Sequence, residues 1–441
     1  MSEALDDFRD RIRSGRALVG ILGLGYVGLP MVRAFCRKGF RVLGFDIDDS
    51  KIRTLKAGGC YIRTVDGAEI AGFVHENRFD PTSDPARLPE ADALVICVPT
   101  PLNENREPDL GPVRDTAETV SKQIRRGQLV ILESTTYPGT TTEVVKPILE
   151  KSGLKAGADF HLAYSPERED PGNPKFSMEN VPKIVGGFDA DSRDLAVELY
   201  GRVTPKIVPV SSCEAAEAAK LLENIYRCVN IALVNELKVL FDRMGINVWE
   251  VIRAASTKPF GYHPFYPGPG LGGHCIPIDP YYLSWKARQY ETPTRFIELA
   301  GEINAEMPRY VVSRLVDALN ADGKPLLGSK ILVLGIAYKK NVDDSRESPA
   351  FKVISLLQER GALVSYHDPF VPRVVPTRHY DLEMTSVELT DPVLRDADAV
   401  LIVTDHDAVD YPRVVKQAKL VVDSRNATAA VTEGRSKIVR A

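Results

Sequence analysis

The chain has 441 residues, 44% of them hydrophobic and 26% charged, with a formal net charge of -4. That length gives room for two or three domains of ~100–200 residues, each with a full core, and that composition leaves no room for a largely disordered chain. The absence of a basic surplus removes the electrostatic footprint of phosphate-backbone binding, so nucleic acid is not an expected partner.

The first sixteen residues alternate acid and base without an apolar core. They read as neither a signal peptide nor a membrane span, which gives the expectation of a cytoplasmic protein without membrane contact. Six cysteines (Cys36, Cys60, Cys97, Cys213, Cys228 and Cys275) are scattered with no C-x-x-C pair, so neither a disulfide framework nor a zinc knuckle is expected.

Short apolar runs recur at 18–22, 41–45, 93–98, 129–132, 160–163, 183–185 and 206–210, with helical stretches between them. Strands alternating with helices predict a parallel, doubly wound α/β sheet. The first run leads into Gly23-Leu24-Gly25-Tyr26-Val27-Gly28 and a helical pattern that reaches Lys38. In such a strand, turn and helix, the first glycine makes the turn, the second admits a pyrophosphate and the third lets the helix pack closely. The helix N-terminus offers N–H groups to the phosphates, so Gly23, Gly25, Tyr26, Val27 and Gly28 are candidate cofactor contacts. Asp46 ends the second strand ~20 residues on, where a carboxylate takes the adenosine ribose hydroxyl. Its charge favours NAD over NADP, and Lys51 and Arg53 lie near enough to soften that preference.

Two more loops stand at strand ends where such sheets bind ligands: Pro99-Thr100-Pro101 and the segment from Ser134 through Thr135 to Thr140. Pro99, Thr100, Ser134 and Thr135 are candidates for holding cofactor or substrate oxygens, with Thr135 also a catalytic candidate. Proline and threonine form such turns without a ligand as well.

From Ser211 the pattern turns helical to about Leu240, and Ser211 with Glu214 fits a capping box. Lys220 and Asn224 share one face, as do Glu217 and Lys220. A solvated salt bridge beside an amide is the plain reading of these residues.

Residues 258–280 are too rich in glycine, proline and aromatics for a helix or central strand, which predicts a long ordered loop. Backbone N–H groups at Gly268, Gly270, Gly272 and Gly273 are candidates to cradle an anion or sugar hydroxyls, and Cys275 follows them directly. His263, His274, Cys275 and Asp279 match no common zinc spacing, so no metal is expected. Beyond it, 329–338 repeats the strand-to-glycine pattern, a helix is predicted over 349–360 and a strand over 363–367. This second Rossmann-like unit lacks the later glycines, so a dinucleotide would fit it badly.

Taken together, these segments resemble the UDP-glucose/GDP-mannose dehydrogenase superfamily, the nucleotide-sugar 6-dehydrogenases, over almost the whole chain. The resemblance rests on Gly-Leu-Gly-Tyr-Val-Gly-Leu-Pro at 23–30, Val-Pro-Thr-Pro at 98–101, Glu133-Ser-Thr, Ser165-Pro-Glu167, Lys220 with Asn224, and Gly-Gly-His-Cys with Asp279. It implies two Rossmann-like doubly wound domains joined by a long central helix: an NAD-binding domain at 1–210, a central helical dimerisation and catalytic-loop region at 211–318, and a UDP-sugar-binding domain at 319–441. It further implies a homodimer or higher oligomer.

In that family the cysteine matching Cys275 is the nucleophile, the residues matching Lys220 and Asn224 stabilise oxyanions, and the acid matching Asp279 orders a water. A lysine near the thiol favours thiolate, which attacks an aldehyde readily. The implied reaction is a four-electron oxidation of a C6 alcohol by NAD through a thiohemiacetal and a thioester, with Glu167, or alternatively Asp279, placing the hydrolytic water.

Arg168 and its successors replace the apolar run of the family's glucose branch, and the arginine that branch carries is missing around Phe260. Both departures point to the UDP-N-acetylhexosamine branch, with UDP-N-acetylglucosamine as the first candidate and UDP-ManNAc or UDP-glucose as alternatives. Candidate sugar contacts are Glu167, Arg168, Lys220, Asn224, His263, Phe265, Tyr266 and Gly272, with Tyr262 also available to the acetamide. Lys339 and Arg346 are candidate phosphate or carboxylate contacts, although Arg346 can instead pair with Asp343 or Asp344. A one-step hydroxyacid dehydrogenase and a non-catalytic sugar-nucleotide binder are the rival readings.

Overall fold

The leucine, isoleucine and valine runs of the first half form strands because each is short, apolar and bounded by turn residues. The computed structural model describes residues 2–62, 65–103, 107–168, 178–273, 276–376 and 380–441. The chain divides into two units, Met1–Glu223 with Tyr281–Thr292, and Asn224–Pro280 with Pro293–Ala441.

In the first unit, β1 (Leu18–Leu22), β2 (Arg41–Phe45), β3 (Phe79–Thr82), β4 (Ala93–Ile96), β5 (Leu129–Leu132), β6 (His161–Tyr164), β7 (Lys183–Gly187) and β8 (Ile207–Pro209) make one sheet. Its order is β3-β2-β1-β4-β5-β6-β7-β8. The order reverses at β1, which lies between β2 and β4, and such a switch point opens a crevice at the strand ends. Val19 and Ile21 join Phe35 and Phe79 in one apolar cluster, while Leu22 joins Ile96 and Leu132 in another, so β1 is covered on both faces. Each such buried aliphatic side chain contributes about 1.5–3 kcal/mol of transfer free energy.

The sheet departs from the expected all-parallel arrangement at one place. β6 and β7 pair antiparallel, Tyr164 opposite Gly186. A parallel neighbour needs a crossover, and the described residues of the 165–182 connection contain no helix. β3 was not anticipated, because Pro81 and Asp80 disguise it; at the sheet edge both are tolerated.

The second unit holds an all-parallel sheet of β9 (Lys330–Leu334), β10 (Leu363–His367), β11 (Ala399–Ile402), β12 (Val421–Asp423) and β13 (Ile438–Arg440), in the order β10-β9-β11-β12-β13. Here β9 takes the place that β1 takes in the first sheet. The two turns repeat in detail: Gly23 donates to the carbonyl of Phe45 at 2.8 Å, and Gly335 to that of His367 at 2.9 Å. The helix Pro349–Glu359 starts at the predicted proline, its N-terminus capped by the Ser348 side chain.

The long central helix runs Cys213–Arg243. Its cap lies one residue later than expected: Ala215 N–H donates to Ser212 Oγ at 3.2 Å, and Glu214 instead accepts from Thr142 Oγ at 2.6 Å. Asp279 was expected in the long loop but opens the helix Asp279–Ala287. Among the described residues no helix is long and apolar enough to cross a membrane.

Candidate functional site

The turn after β1 is built for close approach. Gly23 has φ +96°, and a Cβ there would stand 2.7 Å from the carbonyl of Cys97. A Cβ on Gly28 would stand 1.9 Å from the Gly23 carbonyl oxygen, so helix and turn are pressed together. At Gly25 nothing lies within 4 Å of the same position, which leaves the space a phosphate needs. No side chain caps the helix Gly28–Arg37 at Val27, and Tyr26 is exposed beside it. Asp46 accepts from Leu24 N–H at 2.9 Å and Asp48 N–H at 3.0 Å, and Lys51 Nζ lies 2.9 Å from its Oδ2. Open space, uncapped N–H groups and an acid at the second strand end fit NAD.

The neighbouring loops are tied to one another. Tyr282 donates to the carbonyls of Thr100 and Pro101 at 2.6 and 3.1 Å, with Pro99 exposed next to them. Ser134 was expected to offer its hydroxyl to a ligand; it donates instead to the Val98 carbonyl at 2.7 Å, joining the β4 and β5 ends. Thr135, which follows, is half-buried. Glu217 does not pair with Lys220. It is fully buried and accepts from Gly139 N–H at 2.6 Å, Thr141 N–H at 2.9 Å and Thr141 Oγ at 2.7 Å. Burial pushes its carboxyl up to about 7 against those hydrogen bonds.

After β6 the chain passes through Ser165, Pro166 and Glu167, each anchored separately. Ser165 Oγ donates to the Ile184 carbonyl at 2.8 Å, Lys183 Nζ to that of Pro166 at 3.3 Å, and Lys220 Nζ to that of Glu167 at 2.5 Å. Lys220 is therefore a buried lysine, 6% exposed, rather than the solvated one its helix suggested. Arg168 N–H donates to Glu167 Oε1 at 2.6 Å, and the Arg168 guanidinium pairs with Glu223 at 2.6 Å. Beneath them lie Glu133, Lys183 and Tyr200, whose burial together was not anticipated; burial pushes the Glu133 carboxyl up to about 7 despite Lys183. The only signal in the sequence was an acid closing one apolar strand and a lysine opening another.

In the second unit, Asn224 is completely buried. Its Nδ2 donates to the buried carboxylate of Asp279, and its Oδ1 accepts from Arg227. The glycine-rich loop is only partly available for ligands. Gly268 N–H is taken by Asn235 Oδ1 at 3.0 Å, whose Nδ2 in turn donates to Asn304 at 2.8 Å. A Cβ on Gly272 would stand 2.8 Å from Cβ of Tyr338, so this glycine serves close packing. His263 and Phe265 cluster with Tyr226, and Tyr266 stacks on Trp249 with centroids 5.7 Å apart. Arg346 pairs with Asp344 at 2.6 Å, the alternative that its neighbours offered, and Lys339 is half-exposed. His274 and Cys275 lie outside the described residues. No group of described His, Cys, Asp or Glu side chains could hold a metal ion.

Three consecutive models of the UDP-glucose/GDP-mannose dehydrogenase family match the chain: its NAD binding domain at 17–204, its central domain at 214–306 and its UDP binding domain at 332–430. A Pseudomonas aeruginosa protein named UDP-N-acetyl-D-glucosamine 6-dehydrogenase is 38% identical over 80% of this chain and 83% of its own. A Pyrococcus horikoshii protein named UDP-N-acetyl-D-mannosamine dehydrogenase is 34% identical over 92% of this chain and 95% of its own. Among solved structures, the UDP-D-ManNAc dehydrogenase from Pyrococcus horikoshii superposes with a TM-score of 0.86 at 32% identity, covering 96% of this chain and 98% of the other.

Proposed function

Because the chain belongs to the UDP-glucose/GDP-mannose dehydrogenase family, whose members are NAD-dependent nucleotide-sugar dehydrogenases, we propose that it oxidises the C6 hydroxymethyl of a UDP-N-acetylhexosamine, UDP-GlcNAc first, to the carboxylate. The observation that carries this reading is the burial of two polar residues of the central helix: Lys220 against Glu167 and Asn224 against Asp279. Burying such groups costs stability, and sites that do so are disproportionately functional.

In this proposal residues 1–210 bind NAD, 211–318 carry the central helix and the catalytic loop, and 319–441 take the UDP portion. The turn 23–28, with Asp46 and Lys51, would hold NAD, which when bound would supply the hydride acceptor that both oxidations need. Lys220 and Asn224 offer donors to the oxygen on C6 as it gains charge. Cys275 adds its thiolate to the aldehyde carbon, so the reactive aldehyde stays bound as a thiohemiacetal. Oxidation of that adduct gives a thioester; water, placed by Glu167 or Asp279, adds to its carbonyl, and the thiolate departs with the carboxylate formed. The rings of Phe265 and Tyr266 suit the bulk of a C2 acetamide. The enzyme acts in the cytoplasm, supplying precursors of surface polysaccharide.

A homodimer is part of the reading. Tyr226, Leu233 and Leu240 are exposed along the central helix at seven-residue spacing, which suits a second helix against this stripe. The structural likeness to a ManNAc enzyme favours UDP-ManNAc as the second reading.

The test offers UDP-GlcNAc, UDP-ManNAc, UDP-GalNAc and UDP-glucose separately and follows NADH. UDP-GlcNAc is expected to give the highest kcat/KM and two NADH per sugar. A preference for UDP-glucose sinks the hexosamine assignment, and one NADH per sugar sinks the four-electron scheme.

A further inference from the structure

The ion pair beneath residues 165–167 is closed to any ligand. Lys183 is 4% exposed, Glu133 1% and Tyr200 0%. The Lys183 ammonium donates to Glu133 Oε2 at 2.9 Å and to the Pro166 carbonyl at 3.3 Å, and lies 2.8 Å from Glu133 Oε1. Its Nζ sits 4.7 Å from the centre of the Tyr200 ring, and Tyr200 donates its hydroxyl to Glu133 Oε1 at 2.5 Å. Such a set touches no substrate. Nor does fold stability call for it, since apolar residues of the same volume usually stabilise a core at least as well as a buried ion pair.

What hydrocarbon cannot do is hold a carbonyl in place. The sheet ladder continues past β6 only as far as Ser165, whose N–H donates to the Leu132 carbonyl at 3.0 Å. Pro166 then has no N–H to offer. From there the backbone is held by its oxygens, that of Pro166 on Lys183 and that of Glu167 on Lys220. Glu133 also leads directly into Ser134 and Thr135, so the same carboxylate supports the loop on the cofactor side.

We propose that Glu133, Lys183 and Tyr200 are positioning residues, a buried brace that fixes the backbone at 166–167 and through it the placement of Glu167 and Lys220. This rests on the reading that Glu167 and Lys220 serve the oxidation. A displacement on the order of 1 Å in such a site lowers turnover by up to about a hundredfold while binding contacts persist.

The test is the double variant Glu133→Leu with Lys183→Met, which exchanges the pair for apolar groups. We expect a thermal midpoint within about 5 °C of the parent. The Kd for NAD and the KM for the UDP-sugar should stay within about threefold, while kcat falls at least about tenfold. A role in stability alone moves the midpoint and leaves kcat. A folded double variant turning over within about twofold of the parent overturns the proposal. Should the double variant not fold, Tyr200→Phe, which deletes one oxygen, decides: reduced kcat at unchanged NAD affinity supports the brace, and unchanged kcat overturns it. Glu167→Gln, assayed alongside, separates the two claims. Full activity of Glu167→Gln refutes the role given to Glu167 itself, whereas impaired Glu167→Gln beside an unimpaired double variant refutes only the brace.

Discussion

The ammonium of Lys220 lies 2.5 Å from the carbonyl oxygen of Glu167, joining a helix to a strand-end loop 53 residues away in sequence. The lysine thus stands in a nearly buried position, where a cation acts on a developing oxyanion more strongly than it would in water.

Replacing Lys220 by methionine removes that charge at nearly constant volume. On the oxyanion reading kcat falls by about 10²–10³, with the Kd for NAD little changed. Steady-state kinetics with a fluorescence titration of NAD checks this; a variant that keeps its kcat removes Lys220 from the chemistry.

Cys275→Ser exchanges a thiol for a hydroxyl that is scarcely ionised at neutral pH. Carboxylate formation should then drop by about 10³ or more, with NAD affinity preserved. Mass spectrometry of the sugar product is the measurement, and uronic acid formed at a near-parent rate would falsify covalent capture.

Two glycines of one turn should respond differently to alanine. Gly28→Ala forces a Cβ to within 1.9 Å of a backbone oxygen that cannot swing aside, so the thermal midpoint should fall clearly. Gly25→Ala meets nothing within 4 Å, so the midpoint should hold while the KM for NAD rises severalfold. Equal loss of stability in both variants contradicts the open cradle.

A fourth prediction concerns acid. Burial opposes the charge on Asp368, yet His406 Nε2 at 3.1 Å and the N–H groups of Ala337 and Phe370 hold its carboxyl below the ordinary value. The folded state then binds fewer protons than the unfolded one. This contribution is present in full above the unfolded value of about 3.9 and is lost as pH falls through the lower folded value. Asp368→Asn should cost about 1–3 kcal/mol at neutral pH and flatten the acid limb of urea stability measured between pH 2 and 7. A variant as acid-sensitive as the parent assigns that limb elsewhere.

The turn at Gly23, the helix from Gly28 and the second Rossmann-like unit were legible because each follows from neighbours in sequence. Strand boundaries at Leu18–Leu22, Arg41–Phe45 and Leu363–His367 coincide with their apolar runs. The cap at Ser212 was misplaced by one residue because two adjacent serines satisfy the same local rule, and only packing chooses between them. Cys275 was named from its motif alone.

Period, punctuation and glycine spacing therefore determined the α/β class, the order of its elements and the dinucleotide turn, all of which depend on contacts within a few residues. Tertiary structure decided what polar side chains do. Lys183 meets Glu133 across 50 residues, Ser134 spends its hydroxyl on Val98, and Gly268 gives its N–H to Asn235. A buried polar group must find a partner wherever the fold brings one, and that partner leaves no mark in the sequence around it.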